Sequence, residues 1–364
     1  MSSVDVFVIG GGPAGLAAAI AARRHGLRVV VADGNRPPID KACGEGLMPD
    51  CRAAAAKLGI EIPDGAGYRF HGIRFHGARR PVQADFPEGY GLGVRRLVLH
   101  RLMVDAAERA GVELRWGTSV AGLDDIDARW IVGADGASSR VRKWAGLDRF
   151  ARNTRRYAYR RHYAIAPWTD LVEVYWGEDC QIYVTPVSSG EVCLALISKD
   201  RNLRLDEALA RFFPILNTRL RGVDVTSRER GAITSMMRLR HVTRGKVALI
   251  GDASGSVDAI TGEGLCLSFK QAAVLAEGMA RHNLSEYAQV HPRLALRPTM
   301  MARAMMLLDK GPRVRGIGLG ALSAAPWIFE KLLEVHVCMD VASEDGGSRM
   351  LSNVLESGKY PKRA

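Results

Sequence analysis

One short stretch, Lys41-Ala42-Cys43-Gly44-Glu45-Gly46-Leu47, sets a thiol and a carboxylate two positions apart among glycines. A cysteine thiol can donate a proton, or attack as a nucleophile where its surroundings lower its pKa. It can equally be a small packed residue. Glu45 could act as a general acid, and so could Glu263 in a second glycine-rich segment, Thr261-Gly262-Glu263-Gly264-Leu265. Either carboxylate could instead hold its loop by accepting backbone N–H groups.

A third glycine cluster speaks to binding. The apolar run Val4 to Ile9 leads into Gly10-Gly11-Gly12-Pro13-Ala14-Gly15, an Ala-rich helical segment to about Arg24, and a second apolar run from Leu27 to Ala32 that ends at Asp33. Each part answers a demand of a dinucleotide. Gly10 permits the tight turn, Gly12 lets backbone approach a pyrophosphate, and Gly15 lets helix and strand pack closely, while the helix N-terminus offers unpaired N–H groups. Asp33 can take a ribose hydroxyl. Two later segments repeat the theme of a strand ending at an acid beside small residues: Gly133-Ala134-Asp135-Gly136 and Gly251-Asp252-Ala253-Ser254-Gly255.

The elements that must position these residues alternate at first and then change. Helical spacing over Arg96 to Ala110, a strand over Val112 to Trp116 and a buried strand from Trp130 to Gly133 continue the strand-helix order. Short strand candidates at Tyr68 to Phe75 and Val82 to Phe86 interrupt it. Tyr157 to Ile165, Leu171 to Trp176, Gln181 to Val187 and Val192 to Ile197 predict a four-strand sheet, followed by a helix at Leu205 to Phe213 and a strand at Arg228 to Met236. The apolar strand Val247 to Ile250, a helix from Gly264 to Arg281 and a helical tail close the chain. The expected organisation is a discontinuous dinucleotide-binding domain from 1–66, 92–155 and 240–285, a strand-rich substrate domain from 67–91 and 156–239, and a C-terminal helical region, 286–364.

Taken in order, the three glycine-acid motifs resemble the FAD-binding signatures of the p-hydroxybenzoate hydroxylase fold. The resemblance implies an α/β fold: a Rossmann-like FAD-binding domain of the p-hydroxybenzoate hydroxylase and glutathione reductase type, an inserted antiparallel sheet and a C-terminal helical segment. It implies that Gly10, Gly12, Pro13, Ala14, Gly15 and Asp33 serve the ADP part of FAD, that Arg96 (or Arg95) reaches the pyrophosphate, and that Val120 lies by the adenine. Asp135 becomes the acid of the second motif and Asp252 that of the third, with Gly262 and Gly264 on the riboflavin side. Within the superfamily, Thr261 to Leu265 and the Cys43 loop look most like the geranylgeranyl reductase group. That likeness implies reduction of a carbon-carbon double bond in an apolar, isoprenoid-like substrate, with Cys43 and Glu45 as catalytic candidates and NAD(P)H as electron donor.

The Cys43 loop is also similar to the Gly-Glu-Ser loop of flavin-dependent halogenases, but no Trp-x-Trp-x-Ile-Pro motif is present. A flavin monooxygenase, a halogenase and a non-catalytic flavin-binding interaction protein are therefore the alternatives.

The 364 residues, 47% of them hydrophobic, supply ample core, and the formal net charge of +12 favours an anionic partner. Nucleic acid is not expected, because no helix-turn-helix, zinc or stacking-aromatic signature organises the charge. Six scattered cysteines predict reduced thiols and no metal site. With no signal peptide or 18-residue apolar run, a cytoplasmic protein is expected, with a peripheral membrane contact kept open by the basic residues beside the apolar tail. Arg149, Arg152, Arg155, Arg156, Arg160 and Arg161 form a run that could hold a cofactor or lipid phosphate, or be a solvated face. Met300, Met301, Met305 and Met306 could line a tunnel for an apolar chain, or simply fill a core. The oligomeric state is not legible.

Overall fold

The computed structural model describes residues 4–77, 81–152 and 154–337, with the side chain of Arg152 outside the description, as is Cys338. Val4–Ile9 forms the centre of a six-stranded sheet, flanked by Val29–Asp33 and Ala128–Gly133, all parallel. Glu113–Trp116 and Val247–Leu249 extend it in parallel, and Thr243–Arg244 closes one edge antiparallel. These central strands are mostly apolar, with Asp5 and Arg129 near the strand starts, as expected of a parallel sheet covered on both faces.

The helix Pro13–Arg24 lies on this sheet through Ala17, Ala18, Ala19, Ala21 and Ala22, all buried. Methyl side chains let the helix approach closely, and the long helix Gly264–Ala280 packs on it through Ala272, Leu275, Ala276 and Met279. The strand-helix-strand spacing thus reaches its expected form. Four of the parallel strands, Val4–Ile9, Val29–Asp33, Ala128–Gly133 and Val247–Leu249, end on the same side of the sheet, where glycines and acids collect.

The second sheet has seven strands rather than the four expected, in the spatial order Arg230–Thr234, Arg156–Tyr163, Glu191–Ser198, Cys180–Ser188, Leu171–Trp176, Gly72–His76, Val82–Asp85. The apolar run around Tyr68 to Phe75 is broken at His71: Tyr68–Phe70 pairs with Gly91–Gly93 in a small sheet with Gly46–Leu47, while Gly72–His76 joins Leu171–Trp176 in parallel. A one-residue break could not be read from alternation, because both halves keep the same period. Phe150–Arg152, Met237–Leu239 and Gly255–Ser256 form a further three-stranded sheet. The single helix expected at Leu205 to Phe213 is followed by a second, Pro214–Leu220, started by its proline. Helices Leu284–Leu294, Leu296–Leu308, Pro312–Ala324 and Pro326–His336 complete the described residues.

Candidate functional site

A cavity of about 780 Å³ runs from the glycine turn at the end of the six-stranded sheet to the inner side of the C-terminal helices. Gly10, Gly12, Pro13, Ala14, Asp33, Arg96, Val120, Asp135, Asp252, Gly262 and Gly264 all line it, so segments more than two hundred residues apart share one wall. Gly15 lies behind that wall.

At the glycine turn, Gly10 adopts φ +115° and sits so close to the next strand that a Cβ would lie 2.4 Å from the Ala134 carbonyl oxygen. A Cβ on Gly12 would meet nothing within 4 Å, so backbone alone faces the groove there. The helix begins at Pro13 with no side-chain cap, and its first backbone bond runs from the Leu16 N–H to the Gly12 carbonyl. The N–H groups of Ala14 and Gly15 therefore have no acceptor within the helix, which leaves the positive end of the dipole facing the groove. Asp33 accepts the Gly11 N–H at 2.7 Å and the Asn35 N–H at 2.7 Å, which fixes the carboxylate at the strand end.

Of the two neighbouring arginines, Arg96 faces the cavity. It occupies the first turn of the helix Arg96–Arg109, is 8% exposed and lines the cavity, and its Nε has no hydrogen-bond partner. Arg95 points to Glu191 at 3.2 Å and His162 at 3.4 Å instead. A buried guanidinium with an unused donor beside uncapped helix amides fits a pyrophosphate. The residues present therefore fit FAD. Asp135 caps the helix Arg140–Trp144, accepting the N–H groups of Arg140 at 2.6 Å and Val141 at 3.1 Å and the Ser139 hydroxyl. Asp252 pairs with Lys41 at 2.8 Å, joining the third acid motif to the loop that carries Cys43.

The Cys43 loop is held from outside its own sequence. Glu45 is 3% exposed and takes φ +60°, a left-handed conformation that a carboxylate side chain rarely adopts. Its Oε1 accepts the Arg96 N–H at 2.9 Å, and its Oε2 lies 2.6 Å from His162 Nε2. The Arg160 Nε stands 3.6 Å away. The contacts favour the loop-holding role of Glu45, since its lone pairs are already engaged. Cys193 completes a cluster with Glu45 and His162 in which one ligand atom of each lies within 4.8 Å of the others. Two guanidinium groups, Arg160 at 3.3 Å and Arg95 at 3.4 Å from His162 Nδ1, occupy the same neighbourhood with fixed positive charge. A metal cation would be repelled there.

Cys43 lines the cavity, and its Sγ accepts the Glu45 N–H at 3.4 Å. Burial pushes its thiol pKa up, with Arg96 pulling down and Glu45 pushing up. A nucleophilic thiolate needs the opposite shift, so the site favours a thiol that keeps its proton.

Two features have no signal in the sequence. His336, at the end of the last described helix, also lines the cavity, and its Nδ1 lies 2.8 Å from Glu263 Oε1. Its other nitrogen faces the Thr261 carbonyl at 3.3 Å. Three members of the arginine run are already paired with acids: Arg156 is buried against Asp309 at 2.8 Å, Arg160 against Asp40, and Arg161 pairs with Asp206 at 2.6 Å and Glu229 at 3.1 Å, while Arg149 and Arg155 are exposed. Carboxylates distant in sequence neutralise the strand arginines, which no local pattern could reveal.

Beyond the Cys43 loop the cavity becomes apolar. Phe70, Phe75, Val174, Met305, Leu308 and Phe329 line it, with the Phe75 and Phe329 rings 4.8 Å apart.

A groove built from glycine backbone, uncapped helix amides, a strand-end acid and a buried arginine defines a dinucleotide-binding flavoprotein. The chain belongs to the FAD binding domain family, whose model matches residues 3–289, and it is an FAD-dependent oxidoreductase. It is 27% identical over 348 residues to menaquinone reductase of Mycolicibacterium smegmatis, covering 85% of each chain. It is 27% identical over 309 residues to digeranylgeranylglycerophospholipid reductase of Thermoplasma acidophilum, covering 73% of this chain and 75% of that one. The flavin-dependent brominase Bmp2 shares the fold at TM-score 0.79 and 16% identity, over 97% of this chain and 98% of that one.

Proposed function

We propose that the protein reduces a carbon-carbon double bond in an apolar, isoprenoid-like substrate, using NAD(P)H as electron donor. The observation that carries this proposal is the continuity of one cavity: the dinucleotide groove leads past Cys43 into a chamber lined by Phe75, Val174, Met305 and Phe329. An aliphatic chain gains roughly 0.8 kcal/mol for each methylene buried in such a chamber. Relatives matching 85% and 73% of the chain are named as reductases of menaquinone and of a digeranylgeranyl lipid, which supports the same substrate class.

The residues divide the work. Gly10 and Gly12 leave room for the pyrophosphate, Pro13 starts the helix whose Ala14 and Gly15 N–H groups would face it, Arg96 adds its guanidinium, and Asp33 takes a ribose hydroxyl. Val120 sits by the adenine, Asp135 and Asp252 order the far loops, and Gly262 and Gly264 open the turn on the flavin side. FAD, once reduced, would supply hydride to one alkene carbon. The second carbon needs a proton, and Cys43, kept protonated by burial, is positioned to give it. Glu45 holds the Cys43 loop in place from behind.

Anaerobic incubation with NAD(P)H and a polyprenyl quinone tests this function, with mass spectrometry of the product. The expected product carries two added hydrogens per reduced bond and forms without oxygen. A product that contains a new oxygen atom and requires oxygen uptake would overturn the proposal in favour of a monooxygenase. FAD that no donor can turn over with any acceptor would assign the flavin a structural role.

A further inference from the structure

The last three described helices, Leu296–Leu308, Pro312–Ala324 and Pro326–His336, form one wall of the cavity with their inner sides. Their outer sides carry an unusual combination. Leu296, Met300, Arg303 and Leu307 recur at steps of four and three, which places them on one face of the first helix, with Lys310 just past its end, and all are exposed. Arg313 and Ile317 share a face of the second, and Trp327, Lys331 and Val335 a face of the third. Ile317 is 75% exposed, Trp327 64% and Met300 62%. Side chains this large and apolar usually stand alone on a protein surface, and a group of them rimmed by cations marks a contact surface.

The charge chooses among contact partners. Arg303, Lys310 and Arg313 are exposed on and between these helices, whereas the acids are few: Glu330 is exposed, Glu334 and Lys331 neutralise each other at 2.5 Å, and Asp309 is buried against Arg156. The full chain carries a net charge of +12, so the face is repelled by a second copy and attracted to an anionic surface. The geometry also gives the contact a purpose. Ala304 and Leu332 are both exposed and both line the cavity, so the apolar chamber reaches the surface among these same helices. No described helix is long and apolar enough to cross a membrane, which leaves surface attachment.

We propose that the outer face of these three helices docks on an anionic phospholipid bilayer, with Ile317, Trp327 and Met300 entering the headgroup boundary and Arg303, Lys310 and Arg313 pairing with lipid phosphates. An apolar molecule dissolved in the bilayer then enters the chamber beside Leu332 without crossing water. The docking does not depend on which reaction follows, and it is measured without turnover.

Co-sedimentation of the full FAD-loaded chain with vesicles of phosphatidylcholine, with or without phosphatidylglycerol, tests it. The protein is expected to pellet with the phosphatidylglycerol vesicles, to stay in solution with the neutral ones, and to be released by salt. Arg303→Gln with Arg313→Gln should weaken binding about fivefold for each charge removed. Ile317→Asp with Trp327→Asp should abolish pelleting while melting temperature and flavin absorbance stay unchanged. A wild-type chain that remains in solution with anionic vesicles at low salt overturns the proposal, as does an aspartate variant that pellets like the wild type. A wild-type dimer that the aspartate variant converts to monomer assigns the face to a second copy and overturns it as well.

Discussion

Cys43 illustrates how surroundings select among the reactions one side chain can perform. Its loop packs against Cys193, whose thiol burial also pushes well above the ordinary value, and the Cys193 S–H donates to the Cys43 carbonyl across 3.8 Å. Both sulfurs therefore hold their protons, and of the two only Cys43 lines the cavity. Replacement Cys43→Ser keeps the size and weakens the acid; turnover should drop on the order of a hundredfold while FAD affinity, read from flavin fluorescence, stays within a factor of two or so. An equal loss in both would mean that Cys43 only packs. The type and place of this residue were legible in the sequence. The direction of its pKa was not, because desolvation is set by the groups that close over a side chain.

Among the elements, the last described helix is pinned to the glycine-rich loop before Gly264 by one ion pair, His336 with Glu263. Burial works against the charge on His336, but the Glu263 carboxylate, helped by Asp50 and the Thr261 carbonyl, more than offsets it and raises the pKa above the ordinary 6.5. A raised histidine pKa contributes stability that is fully present below 6.5 and fades as pH climbs through the folded value. Wild type should therefore melt above His336→Gln on the acid side of 6.5, with the gap closing as the buffer becomes alkaline. A gap that widens with pH would contradict the pairing. Helix Gly264–Ala280 itself was legible almost to its ends, from apolar spacing and the glycines before it. Its latch was not, since Glu263 and His336 stand seventy-three positions apart and no periodicity links them.

Across the molecule, a buried polar network ties the seven-stranded sheet to the C-terminal helical region and to the loop before Gly262. Arg156 of the seven-stranded sheet donates to Asp309 of the C-terminal region at 2.8 Å and to Gln181 at 2.8 Å, and its Nε lies 3.5 Å from Asp258 in the loop before Gly262. Lys199 reaches the same Asp309 at 3.2 Å. Removing one partner of a buried pair leaves the other charge desolvated, so Asp309→Ala should cost about 3–5 kcal/mol in urea unfolding, with the midpoint falling at nearly unchanged slope. A loss under about 1 kcal/mol would show that water replaces the carboxylate without penalty. In sequence Arg156 belongs to a run that could hold a phosphate, and the network explains why it does not: strand alternation sends Arg156 and Arg160 inward to acids supplied by other segments.

Features that rest on local chemistry are written in the chain itself. Glycines where backbone must face an open groove, an acid at a strand end, apolar runs of the length of a covered strand and helical spacing after Arg96 each carry their cause within a few residues; together they specified a dinucleotide-binding α/β protein, which the resemblance of the three motifs narrowed to FAD. Folding in three dimensions was needed to select which of Arg95 and Arg96 faces the groove, to engage Glu45 with His162 and the Arg96 amide, and to pair Arg156, Arg160 and Arg161 with distant acids. It also joined the groove to an apolar chamber under the C-terminal helices. Those outcomes depend on burial and on partners brought from distant positions, and both exist only once the chain has closed on itself.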